Sequence, residues 1–151
     1  MARPSVPSSQ PNVPRPSCHA VVFNENGKVL LVQRGSEPFA GWWSLPGGSI
    51  RWGEEVAAAL AREVMEETGL SVTPGRLLHV FDAIEKNVDG DVLFHYLILY
   101  YEASYRGGRL RPGSDAAGAA WVPVDQLHQY RLLPPAGEVI RMALADDGNG
   151  G

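Results

Sequence analysis

An amphipathic helix in the first half of the chain is the feature that most constrains the fold. Apolar side chains recur at helical spacing over residues 54–68, and Leu60 and Val64 lie about one turn apart on the apolar face. Gly69 follows directly and is typical of a helix end, because glycine adopts the left-handed conformation there without strain. One face of this helix must therefore pack on a core that the rest of the chain supplies.

Three carboxylates share another face of the predicted helix. Glu63, Glu66 and Glu67 fall within an arc of roughly 100° at 3.6 residues per turn, although like charges at such spacings destabilise a helix by a few tenths of a kcal/mol. One interpretation is a solvated charged surface. The other is a metal site, because Mg²⁺ and Mn²⁺ prefer hard oxygen ligands. Arg62 is placed to orient a neighbouring carboxylate, and the glycine turn at Gly47 can expose a backbone carbonyl.

Length and composition predict one folded domain with flexible ends. The 151 residues are too few for two ordinary domains. Residues 1–16 carry five prolines and predict a disordered or loosely docked arm, residues 17–146 the domain, and residues 147–151 a flexible tail. The net charge of −4 argues against nonspecific binding to nucleic acid or an anionic membrane. The single Cys18 excludes an internal disulfide and favours a reducing, cytoplasmic location.

The other apolar runs alternate with turns and predict strands on both sides of the acidic helix. We expect strands over residues 17–23, 29–32, 77–84, 92–103 and 119–124, a helix starting near residue 124, and a last helix over residues 136–145. A long loop, residues 35–53, is rich in Gly, Pro and Trp, and such loops are usually functional. Within it we expect Trp43 to anchor the loop to the core and Trp52 to pack. The mixture of hairpins and helices predicts an α/β sandwich.

The segment that contains the acidic helix resembles the signature of the Nudix hydrolases. That signature is a Gly, five residues, a Glu, seven residues, and then Arg-Glu-aliphatic-x-Glu-Glu-x-Gly-aliphatic. The chain has the required residue at every specified position: Gly48, Glu54, Arg62, Glu63, Val64, Glu66, Glu67, Gly69 and Leu70. The resemblance implies an α/β/α sandwich with a mixed β-sheet, in which the signature forms a loop followed by a helix.

The same resemblance implies an enzyme that hydrolyses a pyrophosphate bond in a nucleoside diphosphate linked to another group, with Mg²⁺ or Mn²⁺ as cofactor. The implied metal ligands are the Gly47 carbonyl, Glu63, Glu66 and Glu67, and the implied catalytic residues are Glu54, Arg62, Glu66 and Glu67. The general base is either a signature glutamate or Asp115, the only acid in residues 114–120. A noncatalytic Nudix module that senses nucleotides is the alternative from another class.

A second resemblance, less specific than the signature, predicts the substrate. Residues 82–103, with their spacing to "WVPVDQL", are similar to a bacterial subgroup labelled ADP-ribose pyrophosphatase. ADP-ribose or a related nucleotide sugar is therefore the preferred substrate, and an (oxidised) nucleoside triphosphate is the alternative. Candidate substrate contacts are Arg34, Phe39, Trp42 and Glu85, each with a purely structural alternative. Family members are often dimers, so a homodimer is left open.

Overall fold

The protein is described here by a computed structural model that covers residues 12–113 and 115–150, with residues 146–150 described through their backbone alone. Within those residues, seven strands form one sheet. The strands are β1 (Arg15–Phe23), β2 (Val29–Arg34), β3 (Trp43–Ser44), β4 (Gly47–Ser49), β5 (Leu70–Lys86), β6 (Val92–Gly108) and β7 (Ala116–Val122). The helices are α1 (Val56–Thr68) and α2 (Ala136–Gly150), and a 3-10 helix occupies Val124–Gln129.

The sheet is mixed, and its centre is a pair of strands that are far apart in the chain. The strand order is β3-β2-β1-β6-β5, with β4 paired to β1 and β7 paired to β2. The β1–β6 pair is parallel, and the other pairs are antiparallel. The predicted α/β class with a mixed sheet is confirmed.

A helix packs on each side of the sheet, so two apolar layers form. Alternate residues of β1 face opposite layers, with Ala20 and Val22 in the cluster around α1 and Val21 in the cluster around α2. Leu60 and Val64 are fully buried in the first layer, as the helical spacing predicted. Complete burial of one such side chain contributes about 1.5–3 kcal/mol relative to leaving it in water.

The acidic helix is shorter at its start than the sequence indicated. α1 begins at Val56, Glu55 is its N-cap residue without a side-chain capping bond, and Glu54 lies before the helix. Glu54 instead accepts a hydrogen bond from the Arg51 N–H at 3.0 Å. The other end agrees with the prediction, because Gly69 has a φ of 77° and donates its N–H to the carbonyl of the last turn.

Several strands are longer than predicted, and the long loop contains two short ones. The strand expected over residues 77–84 begins earlier, because β5 starts at Leu70 and runs through Pro74 and Gly75 with register shifts between Pro74 and Leu77. β3 and β4 lie inside the predicted loop 35–53, because each finds a partner strand that a local pattern does not reveal.

Secondary-structure elements reach into both predicted end segments of the chain. Residues 1–11 of the predicted arm lie outside the described residues, and β1 already begins at Arg15, which pairs with Tyr96 of β6. Helix α2 continues to Gly150, through most of the predicted flexible tail. Of the helices in the described part of the chain, neither has the length and apolar character needed to cross a membrane.

Candidate active site

Two glycines bring the backbone of β4 against the side chains of α1. Gly47 pairs with His19 of β1, and a Cβ atom on Gly47 would overlap the main chain of Cys18 and His19. A Cβ atom on Gly48 would overlap the carboxylate of Glu63. Only a residue without a side chain fits at Gly47, whereas a Cβ atom at Gly48 would require the Glu63 carboxylate, the end of a flexible side chain, to move. The backbone of both glycines lies beside the acidic face of the helix.

The guanidinium of Arg62 connects the acidic residues of the signature. Its Nη1 donates to Glu63 Oε2 at 2.9 Å and to Glu66 Oε1 at 3.3 Å. Its Nη2 also donates to the carbonyl of Ser49 at 3.0 Å, which ties the helix to the end of β4. These contacts raise the pKa of Arg62, with its hydrogen bonds to Glu54 as the main cause. Arg62 thus stays charged and fixes the positions of the carboxylates around it.

Glu54 holds the other side of the same guanidinium. Its two carboxylate oxygens accept from Nε and Nη2 of Arg62 at 2.8 and 2.9 Å. The hydrogen bonds from Arg62 and from the Arg51 N–H lower the pKa of Glu54 to about 2. A bidentate arginine–carboxylate pair of this kind has a defined geometry, so Glu54 fixes the orientation of Arg62.

Glu67 is the most enclosed carboxylate of the cluster. Its Oε1 accepts a hydrogen bond from the Gly47 N–H at 2.9 Å. The pKa of Glu67 is raised to about 7, chiefly because the group is buried; the Gly47 N–H lowers the pKa and the charge of Glu63 raises it. An enclosed carboxyl group next to other carboxylates is an environment that a bound cation would stabilise.

The donor set fits a divalent cation in its chemistry. Glu63, Glu66, Glu67 and the Gly47 carbonyl supply hard oxygen atoms and an excess of negative charge over the single Arg62. In the part of the chain that the structure describes, however, no three His, Cys, Asp or Glu side chains are grouped as a metal site. Arg62 and the Gly47 N–H engage the carboxylates instead.

A cavity of about 480 Å³ opens beside the cluster, a size typical of small-molecule sites. Glu67 and Gly48 line one part of it, together with Arg34, and aromatic side chains line another part. Those aromatic side chains are Phe39, Phe94, Tyr96, Tyr100 and His19. A second depression of about 710 Å³, which includes Asn24 of the β1–β2 turn, is lined by no signature residue.

The four predicted substrate contacts divide into two pairs. Arg34 and Phe39 line the cavity. Trp42 does not line it, because its ring packs beneath the guanidinium of Arg131 at 4.4 Å and against Phe39 at 5.6 Å. Glu85 is exposed near the tip of the β5–β6 hairpin and likewise is not among the lining residues. A substrate contact at Trp42 or Glu85 therefore stays a prediction, while Arg34 and Phe39 lie at the cavity itself.

Asp115 lies at the cavity as well, carried there by the segment that follows β6. Gly113 donates its N–H to the Glu67 carbonyl at 2.8 Å, and Arg111 donates to the Thr68 carbonyl at 2.9 Å. The segment therefore runs along the C-terminal end of α1 before β7 begins. Asp115 lines the cavity and is close enough to Glu67 to contribute to its raised pKa.

Sequence reasoning missed the aromatic residues that β1 and β6 contribute to the cavity. Phe94, Tyr96 and Tyr100 point to one face of β6, and this period-two spacing was the available signal. His95, between two of them, instead bonds Asp82 at 2.9 Å. Trp52, expected to pack, is fully exposed.

Two contacts fix residues of the predicted loop 35–53 to the rest of the domain. Trp43 packs edge-on against Tyr130 at 5.1 Å, as expected of an anchor. His19 Nδ1 bonds the carbonyl of Leu45 at 2.9 Å, and burial lowers the pKa of its imidazole.

Comparison with known proteins identifies the family. Residues 13–143 match the NUDIX domain model. The ADP-ribose pyrophosphatase of Methanocaldococcus jannaschii is 35% identical over 106 residues, which are 70% of this chain and 60% of that protein. An 8-oxo-dGDP phosphatase of Homo sapiens is 34% identical over 130 residues, covering 79% of this chain and 38% of that protein.

Solved structures give the same result. The MutT NUDIX hydrolase from Burkholderia pseudomallei has a TM-score of 0.73 and 30% identity, and the match covers 87% of this chain and 98% of that one. The chain belongs to the Nudix family. Its α/β/α sandwich is the Nudix fold, and members of this family generally use divalent metal ions.

Proposed function

We propose that the protein is a Nudix pyrophosphohydrolase that uses Mg²⁺ or Mn²⁺ to hydrolyse a nucleoside diphosphate linked to another group. The observation that carries the proposal is the arrangement around Arg62. One guanidinium links Glu54, Glu63 and Glu66, next to the glycine backbone and beside a cavity of about 480 Å³. The simpler interpretation of the acidic helix is a solvated charged surface. That interpretation does not explain why Gly47 stands where a Cβ atom would overlap the main chain of Cys18 and His19.

The charged residues of the signature and the Gly47 carbonyl each have a role in this proposal. Glu63, Glu66, Glu67 and the Gly47 carbonyl hold the metal, while Arg62 orients the glutamates. A bound divalent ion supplies charge neutralisation on the pyrophosphate and a lowered pKa for a bound water molecule. Glu54 keeps the guanidinium in place through its two hydrogen bonds.

Arg34 is the proposed phosphate contact. It lines the cavity, and its Nε donates to the Pro38 carbonyl at 2.8 Å, which fixes the direction of the side chain. The positive charge of Arg34 also acts on Glu67, so the two groups lie in the same electrostatic environment.

Two carboxylates are candidates for the general base. Glu67 and Asp115 both line the cavity, and a general base must come within hydrogen-bond reach of the attacking water. Asp115 lies outside the Arg62 network and is free to take this role while the glutamates hold the metal. Replacing Asp115 with Asn separates the two candidates, because the kcat falls by about 10²-fold or more only if Asp115 accepts the proton.

The preferred substrate is ADP-ribose or a related nucleotide sugar. The name of the archaeal relative supports it, and the aromatic part of the cavity, with Phe39, Phe94 and Tyr96, suits a base and a ribose. The name of the human relative favours the second candidate, an oxidised nucleotide. A noncatalytic sensor is disfavoured because all three metal-binding glutamates are present. The proposed partner is a small-molecule nucleotide in the cytoplasm, and a homodimer stays a prediction.

The decisive test is a substrate panel with Mg²⁺ and Mn²⁺. The kcat/KM is measured for ADP-ribose, UDP-sugars, diadenosine polyphosphates and each nucleoside triphosphate, including an 8-oxo form. We expect ADP-ribose or another nucleotide sugar to rank first and chelation to abolish turnover. A triphosphate that exceeds ADP-ribose a hundredfold would replace the preferred substrate. No turnover of any nucleotide with either metal would overturn the enzyme assignment.

A further inference from the structure

Two polar atoms at the cavity have no hydrogen-bond partner among the described residues. A carbonyl oxygen can only accept, so the bond between His19 Nδ1 and Leu45 places the hydrogen on Nδ1 and leaves the Nε2 of a neutral ring as an acceptor. Within residues 12–113 and 115–150, neither Nε2 of His19 nor the hydroxyl of Tyr100 forms a hydrogen bond. No fully buried side-chain nitrogen or oxygen in that part lacks a partner, so neither of these two atoms is completely shielded from solvent.

The two side chains are neighbours on adjacent strands. His19 of β1 and Tyr100 of β6 are paired residues in the parallel ladder, and their ring centroids are 5.7 Å apart with an interplanar angle of 38°. Both line the cavity. Tyr100 is only 6% exposed and its ring packs in the α2 layer, while the residue still lines the cavity. The pair is therefore a rigid polar feature of the sheet.

The wall around this pair is largely apolar. Leu45, Ile98 and Ala136 also line the cavity. A substrate that fills the space displaces water from Nε2 and from the tyrosine hydroxyl, and a polar atom left unpaired after desolvation weakens binding. The substrate group that enters this space must donate a hydrogen bond to Nε2 of His19. It forms a second hydrogen bond if it also pairs with the hydroxyl of Tyr100. An alcohol O–H both donates and accepts and meets both requirements.

We propose that His19 and Tyr100 form a subsite that binds a ribose hydroxyl of the substrate. The proposal rests on the proposed function and deepens it, because the subsite makes the enzyme prefer ribonucleotides to their deoxy counterparts. The edge of the base is the other source of a donor beside an acceptor, so the test must separate the two.

The test compares Tyr100→Phe and His19→Leu with the unchanged protein at pH 8, where an imidazole of ordinary pKa is neutral. The KM and kcat are measured for ATP, its 2′-deoxy and 3′-deoxy forms, and ITP, which lacks the amino group of adenine. We expect each substitution to raise the KM for ATP about tenfold and to change the kcat less than about twofold, as loss of one hydrogen bond in binding would do. The deoxy substrate that lacks the bound hydroxyl should show a raised KM already with the unchanged protein and no further rise with the variants.

Two further variants make the result specific. Tyr101→Phe is the matched control, because Tyr101 is the next residue of β6 and packs in the α1 layer instead. It should leave the KM unchanged. His19→Gln keeps an acceptor and should restore part of the affinity lost in His19→Leu. A penalty that disappears with ITP and persists with both deoxy substrates would assign the subsite to the base and overturn the ribose assignment.

A binding experiment keeps this inference separate from the enzyme assignment. Calorimetric Kd values for ADP-ribose and AMP are measured in EDTA, where no turnover occurs, and Tyr100→Phe should weaken binding about tenfold. If the unchanged protein hydrolyses no nucleotide but Tyr100→Phe weakens binding, the proposed activity fails and the subsite stands. Equal Kd values for both proteins, or no binding by the unchanged protein, would overturn the subsite.

Discussion

Arg62 binds both carboxylate oxygens of Glu54, at 2.8 and 2.9 Å, although the two residues are eight positions apart and on different elements. Glu54 precedes α1, so this pair ties the start of the helix to its middle. The same guanidinium reaches Glu63 and Glu66 of the acidic cluster. The proposed metal ligands lie on α1, but their geometry depends on Glu54, which lies outside that helix.

This pair predicts a loss of stability in acid. The pKa of Glu54 in the folded protein, about 2, lies below the ordinary glutamate value of 4.5. The contribution of Glu54 to stability is therefore fully present above about pH 4.5 and is lost as the pH falls toward 2. In Glu54→Gln, the melting temperature should fall less steeply across this window than in the unchanged protein. Glu55→Gln is the control, since Glu55 is exposed and makes no capping bond. Parallel melting curves for Glu54→Gln and the unchanged protein would contradict the prediction.

Gly48→Ala should disturb the site by overlap with the carboxylate of Glu63. The overlapping atoms are the end of a flexible side chain that can move, so the melting temperature should change little. Displacement of a proposed metal ligand should nevertheless lower kcat/KM at least about tenfold. The measurements are thermal unfolding and steady-state kinetics. Gly137→Ala is the matched control, because its Cβ atom would make only ordinary contacts in α2 and alanine favours a helix. Unchanged kinetics in Gly48→Ala would remove Glu63 from the metal site.

Glu66→Gln and Glu67→Gln should each lower the kcat by at least about 10²-fold, because each removes a proposed metal ligand or general base. In the metal-free protein, both substitutions should leave the melting temperature unchanged or raise it slightly, since they relieve repulsion among the carboxylates. Titration calorimetry with Mn²⁺ provides the second measurement and should show weaker metal binding. Turnover near that of the unchanged protein at saturating Mg²⁺ in both variants would show that the site lies elsewhere.

Aromatic residues inside and outside the cavity should differ in their effects on substrate binding. Phe94→Ala should raise the KM about tenfold and change the kcat less, because a stacked base or ribose contributes on the order of 1–3 kcal/mol in both the ground state and the transition state. Trp42→Ala should change the KM less and lower the melting temperature, because Trp42 packs with Arg131 and Phe39 outside the cavity lining. A larger rise in KM for Trp42→Ala than for Phe94→Ala would reverse this assignment.

Deleting residues 1–14 should leave the melting temperature and the kcat nearly unchanged. This segment offers little apolar surface for burial, and the deletion stops before Arg15, where β1 begins. Differential scanning calorimetry and kinetics of the shortened chain test the prediction, with a second deletion through residue 18 as the control that removes paired residues of β1. A fall of several degrees in the first deletion would show that the arm packs on the domain.

Features that depend on interactions between residues close in the chain could be predicted from the sequence, and features that depend on distant residues could not. The boundaries of α1 followed closely from periodicity and from Gly69, both of which act within one turn. Glu54 was placed in the helix because a local pattern cannot show that Arg62 and the Arg51 N–H hold its carboxylate. β5 was predicted too short because Pro74 and Gly75 usually end a strand, and only the pairing with β6 overrides this preference.

The site divided in the same way. The signature located the acidic residues, since one helix brings them together wherever the rest of the chain lies. The cavity wall is assembled from strands distant in sequence, so Trp42 was favoured for its closeness to the signature in the chain. Tyr100 and His19 become neighbours only through the β1–β6 ladder, which no local pattern encodes.

That parallel ladder also determines when the sheet can form during synthesis. Each of its paired residues is 81 positions from its partner, from Arg15 with Tyr96 to Phe23 with Ser104. Closing so long a loop carries an entropic penalty before any contact compensates for it, and pairings of this kind fold slowly. Before Ser104 has emerged from the ribosome, the nascent chain already contains all of α1. It still lacks the complete β6 strand, which the sheet under that helix requires. Folding of this protein should therefore be late and cooperative, because α1, with its signature glutamates, can pack on the sheet only after β6 is available.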